Sequence, residues 1–327
     1  MSYTVAPDSF QAVEQAWLDL LPESATNTVF VTPCWQEHWF KHFGGERQME
    51  LLSVREGSGR LVGIAPLLLN GSKLSLVGNT EVCDYSDVVL SRDHSEGGLS
   101  AILDFLSPLR WERLILHSLP SDSPTLAFLP EMARARGWSV QVTQEDVCPR
   151  VDLPDQWEAY LGRLTKKDRH ELRRKFRRLQ TAVEVRFVRN GAGDDLSREM
   201  DDFFRLHRLS REDKAEFMTP PMEDFFRQTI GDLASRGTAG ISFLDLDGVR
   251  AAAIIYFDYD GQRLLYNSGY DPAFSALSVG LLLKAQSLRD AIEAGMKRFD
   301  FLRGNEPYKY DLGGLDFPIY QCVVTRV

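Results

Sequence analysis

Four side chains with chemistry of their own fall within seven residues near the end of the sequence: Arg303, Glu306, Tyr308 and Lys309, in the stretch RFDFLRGNEPYKYDLGG (298–314). A carboxylate can accept a proton or hold a cationic amine, a phenol can donate a proton, and an ammonium can stabilise developing negative charge. The stretch opens as a strand, with Phe299 and Phe301 alternating against Arg298 and Asp300, and runs into a loop broken by Gly304. The bland reading has Tyr308 packed on a sheet and Glu306 and Lys309 paired at the surface. An inward-facing Asp300 would need a partner, which Arg303 or a loop amide could supply.

A second concentration is electrostatic. From Arg163 to Arg178 there are nine Lys and Arg against Asp168 and Glu171, a local excess of +7 in a chain of net charge −9. Such a helix is either a solvated amphipathic face or an attractor for an anionic ligand; Arg169 and Arg173 are the candidates to hold a phosphorylated substrate. Cys34, His38 and His42 share one helical face, but eight residues at ~1.5 Å rise separate the outer two by roughly 12 Å. That span is too long for a shared ion with ligand bonds of about 2.0–2.3 Å, so no metal site is expected. Trp35, Trp39 and Phe43 beside them read as core. His207 reads as a packed helix residue or a substrate contact.

Composition bounds the rest. At 327 residues the chain is long enough for two domains, and 43% hydrophobic with 26% charged residues is ordinary for a globular protein. No apolar run reaches the ~18 residues of a membrane helix, and the N-terminus lacks the pattern of a signal peptide. The four cysteines are scattered without a CxxC pair, as suits free thiols in a cytoplasmic protein. The acidic balance argues against a general nucleic-acid binder.

Helices are predicted over 9–20 and 33–43, the second with Thr32 as N-cap and Pro33 at the first helical position. Strands follow at 49–55, 60–68 and 73–77, then a helix at 97–107, a strand at 112–117, a helix at 123–136 and a strand at 138–143. CPRVDLPDQW (148–157) marks the passage to a second half. There helices are predicted at 155–163, 166–180, 194–213 and 220–235, with a strand at 183–188. Strands at 239–245, 249–257 and 262–269 are joined by Asp-Gly hairpin turns, followed by a helix at 280–295 and strands at 297–302 and 317–326. The halves share an order of elements, which suggests a duplicated unit with domains at 1–150 and 151–327.

The second-half order resembles the GNAT N-acyltransferase fold. Three segments narrow the match: YLGRLTKKDRHELRRKFRRL (160–179), LLYNSGYDPAFSALSVGLLLKAQ (264–286) and GMKRFDFLRGNEPYKYDLGG (295–314). With FVTPCWQEHWFKHFGG (30–45), LVGIAPLLL (61–69) and CDYSDVVL (83–90), they resemble bacterial cellulose-biosynthesis-type acetyltransferases, relatives of the Fem-type peptidyltransferases. The resemblance implies an α/β (α+β) fold of two tandem GNAT-like domains, each a mixed, mostly antiparallel sheet flanked by helices.

It also implies an activity: acyl transfer, most simply acetyl, from acyl-CoA to an amine, with the catalytic chemistry in the second domain. That reaction needs a route for the amine proton, stabilisation of an oxyanion and a donor to the leaving thiolate. Lys309, Glu306 and Tyr308 would fill these roles, with Lys309 matching the reaction-centre lysine of the Fem-type relatives. Ser278, Val279, Gly280 and Leu281 would hold the CoA diphosphate on free amides at a helix start. Only Gly280 remains there of the usual Q/R-x-x-G-x-G/A fingerprint. Tyr270 and Arg303 lie in the matching segments as substrate contacts. Asp84, Tyr85 and Asp87 would face an acceptor amine in the cleft between domains, or else cap a turn. The acceptor implied is a small molecule, such as a sugar, nucleotide sugar or envelope precursor. Two alternatives stand: a Fem-type enzyme using aminoacyl-tRNA, gripped by the basic helix, and a non-catalytic module binding polysaccharide or a partner protein.

Overall fold

The computed structural model describes all residues except Met1, Ala192, Gly193, Asp195 and Val327. The chain divides into two compact units: Met1–Val147 with Phe317–Val327, and Cys148–Asp316. In chain order the first stretch carries β1 (Tyr3–Pro7), α1 (Phe10–Leu20), α2 (Pro33–Phe43), β2 (Gln48–Glu56), β3 (Leu61–Asn70), β4 (Lys73–Leu76), β5 (Val89–Leu90), α3 (Ser95–Leu106), β6 (Arg113–Pro120), α4 (Pro124–Ala135) and β7 (Ser139–Val147). The second carries β8 (Arg150–Asp152), α5 (Trp157–Arg163), α6 (Lys166–Ala182), β9 (Val185–Asn190), α7 (Ser197–Ser210), α8 (Glu212–Phe217), α9 (Pro220–Ser235), β10 (Ala239–Leu246), β11 (Val249–Tyr259), β12 (Gln262–Tyr270), α10 (Val279–Glu293), β13 (Arg298–Asp300) and α11 (Pro307–Asp311), and β14 (Pro318–Thr325) follows.

In the first unit the sheet runs β1-β2-β3-β4-β6-β14-β7, with β5 on β3. Among the described residues only β4 and β6 pair in parallel in this sheet, and α3 lies on the connection between them. Both faces are covered. Because strand side chains alternate, Leu51 packs with Val13 and Trp17 of α1, while Leu52 and Val54 pack with Leu99, Ile102 and Leu103 of α3. Thr32 caps α2 by accepting from the Trp35 amide, and Pro33 opens it.

In the second unit the sheet runs β8-β13-β12-β11-β10-β9. The β10–β11 and β11–β12 turns place Asp247, Gly248, Asp260 and Gly261 all at positive φ, as a two-residue type I′ hairpin requires. Strands β12 and β13 are parallel, and α10 makes the crossover. The two units thus repeat one motif, an antiparallel three-strand meander, a crossover helix and a parallel strand. Leu172 and Leu179 of α6 and Leu282, Leu283 and Leu288 of α10 share a core with Phe299 and Phe301. In β12 the pairing skips Tyr266: Ile255 faces Asn267 and Tyr256 faces Leu265. Among the described residues no helix is long and apolar enough to cross a membrane.

Several expectations need correction. The strand expected at 317–326 as the last of the second half belongs to the first unit, where it pairs with β6 and β7. A one-dimensional pattern shows that a strand exists, not which sheet recruits it. The helix expected at 194–213 is two, α7 and α8, broken at Arg211 in extended conformation; Asp195, included in that expectation, lies outside the described residues. The strand expected at 297–302 stops at Asp300, and the loop beyond it contains α11, opened by Pro307.

Strand β14 also carries the chain to Arg326, whose guanidinium lies over the rings of Trp111 (4.9 Å) and Trp138 (5.5 Å). Removing residues 317–327 would unpair β7 and uncover both indoles. Since all tryptophans but Trp157 lie in the first unit, truncation after Asp316 is expected to red-shift tryptophan emission and abolish its cooperative thermal transition. An unchanged emission spectrum would contradict the assignment of β14 to this sheet.

Candidate active site

The loop after β13 is built from its buried charges. Asp300 is fully buried; it accepts from Arg150 Nε at 2.8 Å and from the Leu302 amide at 2.7 Å. That second bond turns the chain out of the sheet, with Leu302 at φ 58° and Gly304 at φ 106°. The turn points three carbonyls at one place, and Lys309 fills it. Its Nζ donates to the carbonyls of Leu302 (2.8 Å), Arg303 (2.6 Å) and Gly304 (3.0 Å), and lies 3.0 Å from Glu306 Oε2. An ammonium has three donors; here all three are engaged. The oxyanion role expected for Lys309 therefore finds no support in this geometry. The side chain ties the loop together.

Its neighbours are set by the same tie. Glu306 is half-exposed; burial alone would raise its carboxyl, but the Lys309 ammonium holds it below the usual carboxylate range. Tyr308 is pushed well above an ordinary phenol by burial and by the Glu306 charge. Its ring packs edge-on to Phe301 at 6.3 Å and carries the Lys284 ammonium at 4.7 Å from its centroid. Neither group is a base or acid poised near neutrality.

The start of α10 presents a different surface. A short 3-10 turn over Pro272–Leu277 leads to Ser278 in left-handed conformation (φ 58°, ψ 34°). The first intrahelical bond is Leu282 N to Ser278 O, so the amides of Val279, Gly280 and Leu281 have no partner within the helix. They open on a cavity of about 210 Å³ lined by Tyr270, Ser275, Ser278, Lys284 and Tyr308 together with residues 279–281. A Cβ on Gly280 would sit 3.4 Å from the Tyr270 ring and 3.9 Å from Lys284 Nζ, ordinary contacts. A side chain there would fit the fold and fill the cavity.

Lys284 was not singled out from the sequence, nor was Lys214. Lys284 is 8% exposed, and its Nζ has one long hydrogen bond, 3.4 Å to the Gly280 carbonyl. Burial, then the nearby charge of Lys214, brings it down to about 7, with Glu306 opposing and Lys309 adding to the shift. Lys214, in the middle of α8, donates to the Ser268 carbonyl of β12; burial and Arg211 lower it to about 8. Burial and then Lys214 push His207 down to about 3, so it is a neutral packed residue. A Cβ at Gly269 would lie 2.4–2.5 Å from the backbone of His207 and Leu206, so only glycine lets β12 and α7 approach. The signal for Lys284 was a lysine among the leucines and alanines of α10's apolar face. The sequence gives no comparable sign for Lys214.

Residues 166–310 match the family profile of the acetyltransferase (GNAT) domain. Among solved structures, that of FemX superposes with a TM-score of 0.68 at 11% identity, covering 98% of this chain and 96% of FemX. L-PGS from Bacillus licheniformis gives 0.59 at 12%, covering 98% and 92%. A tandem GNAT protein of the clavulanic acid biosynthesis pathway gives 0.52 at 17%, covering 99% and 98%. Both units are GNAT-like. No curated protein sequence matches the chain.

Within this tandem GNAT fold the expected residues separate into groups. Tyr270, Ser278, Val279, Gly280, Leu281 and Tyr308 come together around one cavity. Glu306, Lys309 and Arg303 lie in the caged loop that carries Tyr308 and do not themselves line the cavity. Arg169 and Arg173 do not join them. Arg169 reaches the carbonyls of Leu161 and Gly162 at 3.4 Å, and Arg173 pairs with Glu158 at 2.6 Å. Arg173 lines a second cavity of about 290 Å³ with Trp157, Phe176 and Phe187. The basic helix meets the α10 approach through Arg178, which donates to the Ala276 carbonyl. In the first unit Tyr85 and Asp87 are buried and Asp84 partly so. Asp87 accepts from Thr26 Oγ1 (2.5 Å) and the Val88 amide (2.8 Å). Its carboxylate is already occupied, which speaks against its expected contact with an acceptor amine. Trp35 and Trp39 are core, as their spacing predicts, and His42 Nδ1 bonds the His38 carbonyl at 2.8 Å.

The cage predicts a stability effect. Lys309→Met strips three inward-turned carbonyls and a carboxylate of their donor, and is expected to cost about 3–5 kcal/mol. Glu306→Gln keeps the three carbonyl bonds and, at a half-exposed position, is expected to cost less than about 1 kcal/mol. Urea unfolding measures both; a Lys309→Met protein as stable as wild type would refute the cage.

Proposed function

We propose that the second unit is an N-acyltransferase that takes its acyl group from acyl-CoA, most simply acetyl-CoA, and delivers it to an amine. The observation that carries this is the cavity at the start of α10. Three amides without helical partners, a serine cap and a buried lysine meet there, inside the segment that matches the GNAT acetyltransferase domain. Free amides and the helix dipole favour a diphosphate, and the groove walls, Tyr270 and Tyr308, are aromatic enough to pack the apolar part of the donor. The degenerate fingerprint is no obstacle, because amides rather than glycine side positions do the binding. When bound, the donor supplies an activated thioester carbonyl, which the acceptor nitrogen attacks. Glu306, ionised at neutral pH, can hold that acceptor as an ammonium; the ammonium gives one proton to solvent, and the neutral amine then forms the amide bond as the C–S bond breaks and the departing CoA thiolate takes the second amine proton, while the Lys309 cage holds Glu306 in place. The acceptor fits the small-molecule amine class, on a sugar, nucleotide sugar or envelope precursor. The resemblance to cellulose-biosynthesis-type acetyltransferases supports that choice.

One observation favours a second reading. FemX covers nearly the whole chain at the highest TM-score of the three, and α6 is strongly basic, so an aminoacyl-tRNA donor is the alternative. The two readings part in one experiment. Calorimetric titration with acetyl-CoA is expected to show saturable binding, weakened at least about tenfold by Gly280→Glu, whose carboxylate would fill the cavity and face the same amides. No binding of acetyl-CoA, together with a salt-sensitive gel shift of charged tRNA, would replace the first reading with the second.

A further inference from the structure

We propose that the cavity at the start of α10 binds an oxyanion together with a proton, and that Lys284 is the group that takes the proton up. This rests on the reading that the donor diphosphate occupies the same cavity, and adds which side chain governs its binding.

The geometry is unusual for a lysine. Lys284 sits on the buried face of α10, between Leu283 and Ala285. Its Nζ lines the cavity beside the amides of residues 279–281. Among the described residues no carboxylate lies within 4.0 Å of it; its contacts are the Gly280 carbonyl at 3.4 Å and the face of Tyr308. A buried ammonium without a counter-ion is costly, and the usual outcome is loss of the proton. The groups around it do not supply the missing charge. From β12 comes Tyr270, and from α11 come Tyr308 and Lys309. From α8 comes Lys214, itself beside Arg211 and Asp213. The one carboxylate acting on Lys284 is Glu306, which is paired with Lys309 at 3.0 Å. Nearby cations and free amides therefore surround a cavity lysine that is about half neutral at pH 7. An oxyanion entering it would be the absent counter-ion, and would draw a proton onto Nζ.

The sign follows from linkage. The anion raises the affinity of Lys284 for its proton, so binding takes protons up from the buffer. Uptake is small well below pH 7, where the free site is already charged. It is about half a proton at pH 7 and approaches one as pH rises further, until the bound site itself titrates. Over that range the affinity falls by up to about tenfold per pH unit.

Calorimetry with 3′-dephospho-CoA tests this, because its diphosphate diester lacks the ionisation near pH 6 of a phosphomonoester. Inorganic sulfate serves as a second arm. Titrations at pH 7 and pH 8 in buffers of different ionisation enthalpy are expected to show uptake growing with pH. Lys284→Met, which replaces the lysine by an apolar chain of similar length, is expected to abolish uptake and flatten the pH dependence while retaining weak binding. Binding of either anion without buffer dependence would overturn the proposal and leave the acyltransferase reading standing. Uptake that survives in Lys284→Met would assign the proton to Lys214 and also overturn it. Sulfate binding with uptake but no binding of dephospho-CoA would keep the proton-coupled site and remove the CoA reading. Failure of both anions to bind would remove both.

Discussion

An ammonium held by three carbonyls organises the second unit. Lys309 lies in the centre of a loop that has left its sheet, and the backbone turns around it at Leu302 and Gly304. Asp300 initiates that turn by capping the Leu302 amide, and Arg150 neutralises Asp300 from the neighbouring strand. Each charge is buried because the next one is present. Once the loop is fixed, Pro307 starts α11 and Tyr308 has one place to go, against Phe301 and over Lys284. The wall of the α10 cavity thus depends on an ion pair that never touches the cavity itself.

This ordering separates two lysines that a sequence cannot tell apart. Lys309 has every donor engaged and a carboxylate beside it, so it is a structural cation. Lys284 has one long hydrogen bond and cations for neighbours, so its charge is conditional. The acidic chain as a whole makes the contrast sharper. Positive charge is placed where backbone carbonyls or an absent anion can meet it, while Arg173 and Arg174 of α6 are paired on the surface with Glu158 and Glu171. Surface pairs of that kind contribute little; the conditional charge is the one that responds to a ligand.

Much of the frame was legible because its signals are local. Asp-Gly turns fixed the β10–β11–β12 meander, Thr32-Pro33 fixed the start of α2, and the Phe299/Phe301 alternation marked β13. The cluster Glu306, Tyr308 and Lys309 was also visible, but not its division of labour. Which groups a lysine meets depends on the path of residues 302–304, and that path is set by a left-handed Leu302, which no propensity predicts. Arg169 and Arg173 were read as ligand contacts from charge density alone, and density does not say which arginine points where. Lys284 was hidden for the opposite reason: a single lysine in an apolar run reads as noise until the helix face is known to be buried.

The duplicated motif also bears on why the proposed chemistry is assigned to one unit. Each unit joins its parallel strands through a crossover helix, α3 in the first and α10 in the second, and the same anion-binding potential attaches to both helix starts. In the first unit that start is closed by the chain itself. Tyr3 of β1 lies over it, with its hydroxyl 3.2 Å from His94 Nδ1. Gly97 is packed so tightly that a Cβ would lie 2.5 Å from the Tyr3 ring, and Gly98 meets Leu90 at 2.8 Å. The Ser95 hydroxyl turns back to the Ser91 carbonyl. In the second unit β9 takes the place of β1 at the sheet edge, but the ring nearest a Cβ at Gly280 is Tyr270 of β12 at an ordinary 3.4 Å, with the buried Lys284 Nζ at 3.9 Å. Two copies of one topology therefore differ in whether the first turn of the crossover helix is packed or open. The open one is where a ligand can replace the packing that the other already has.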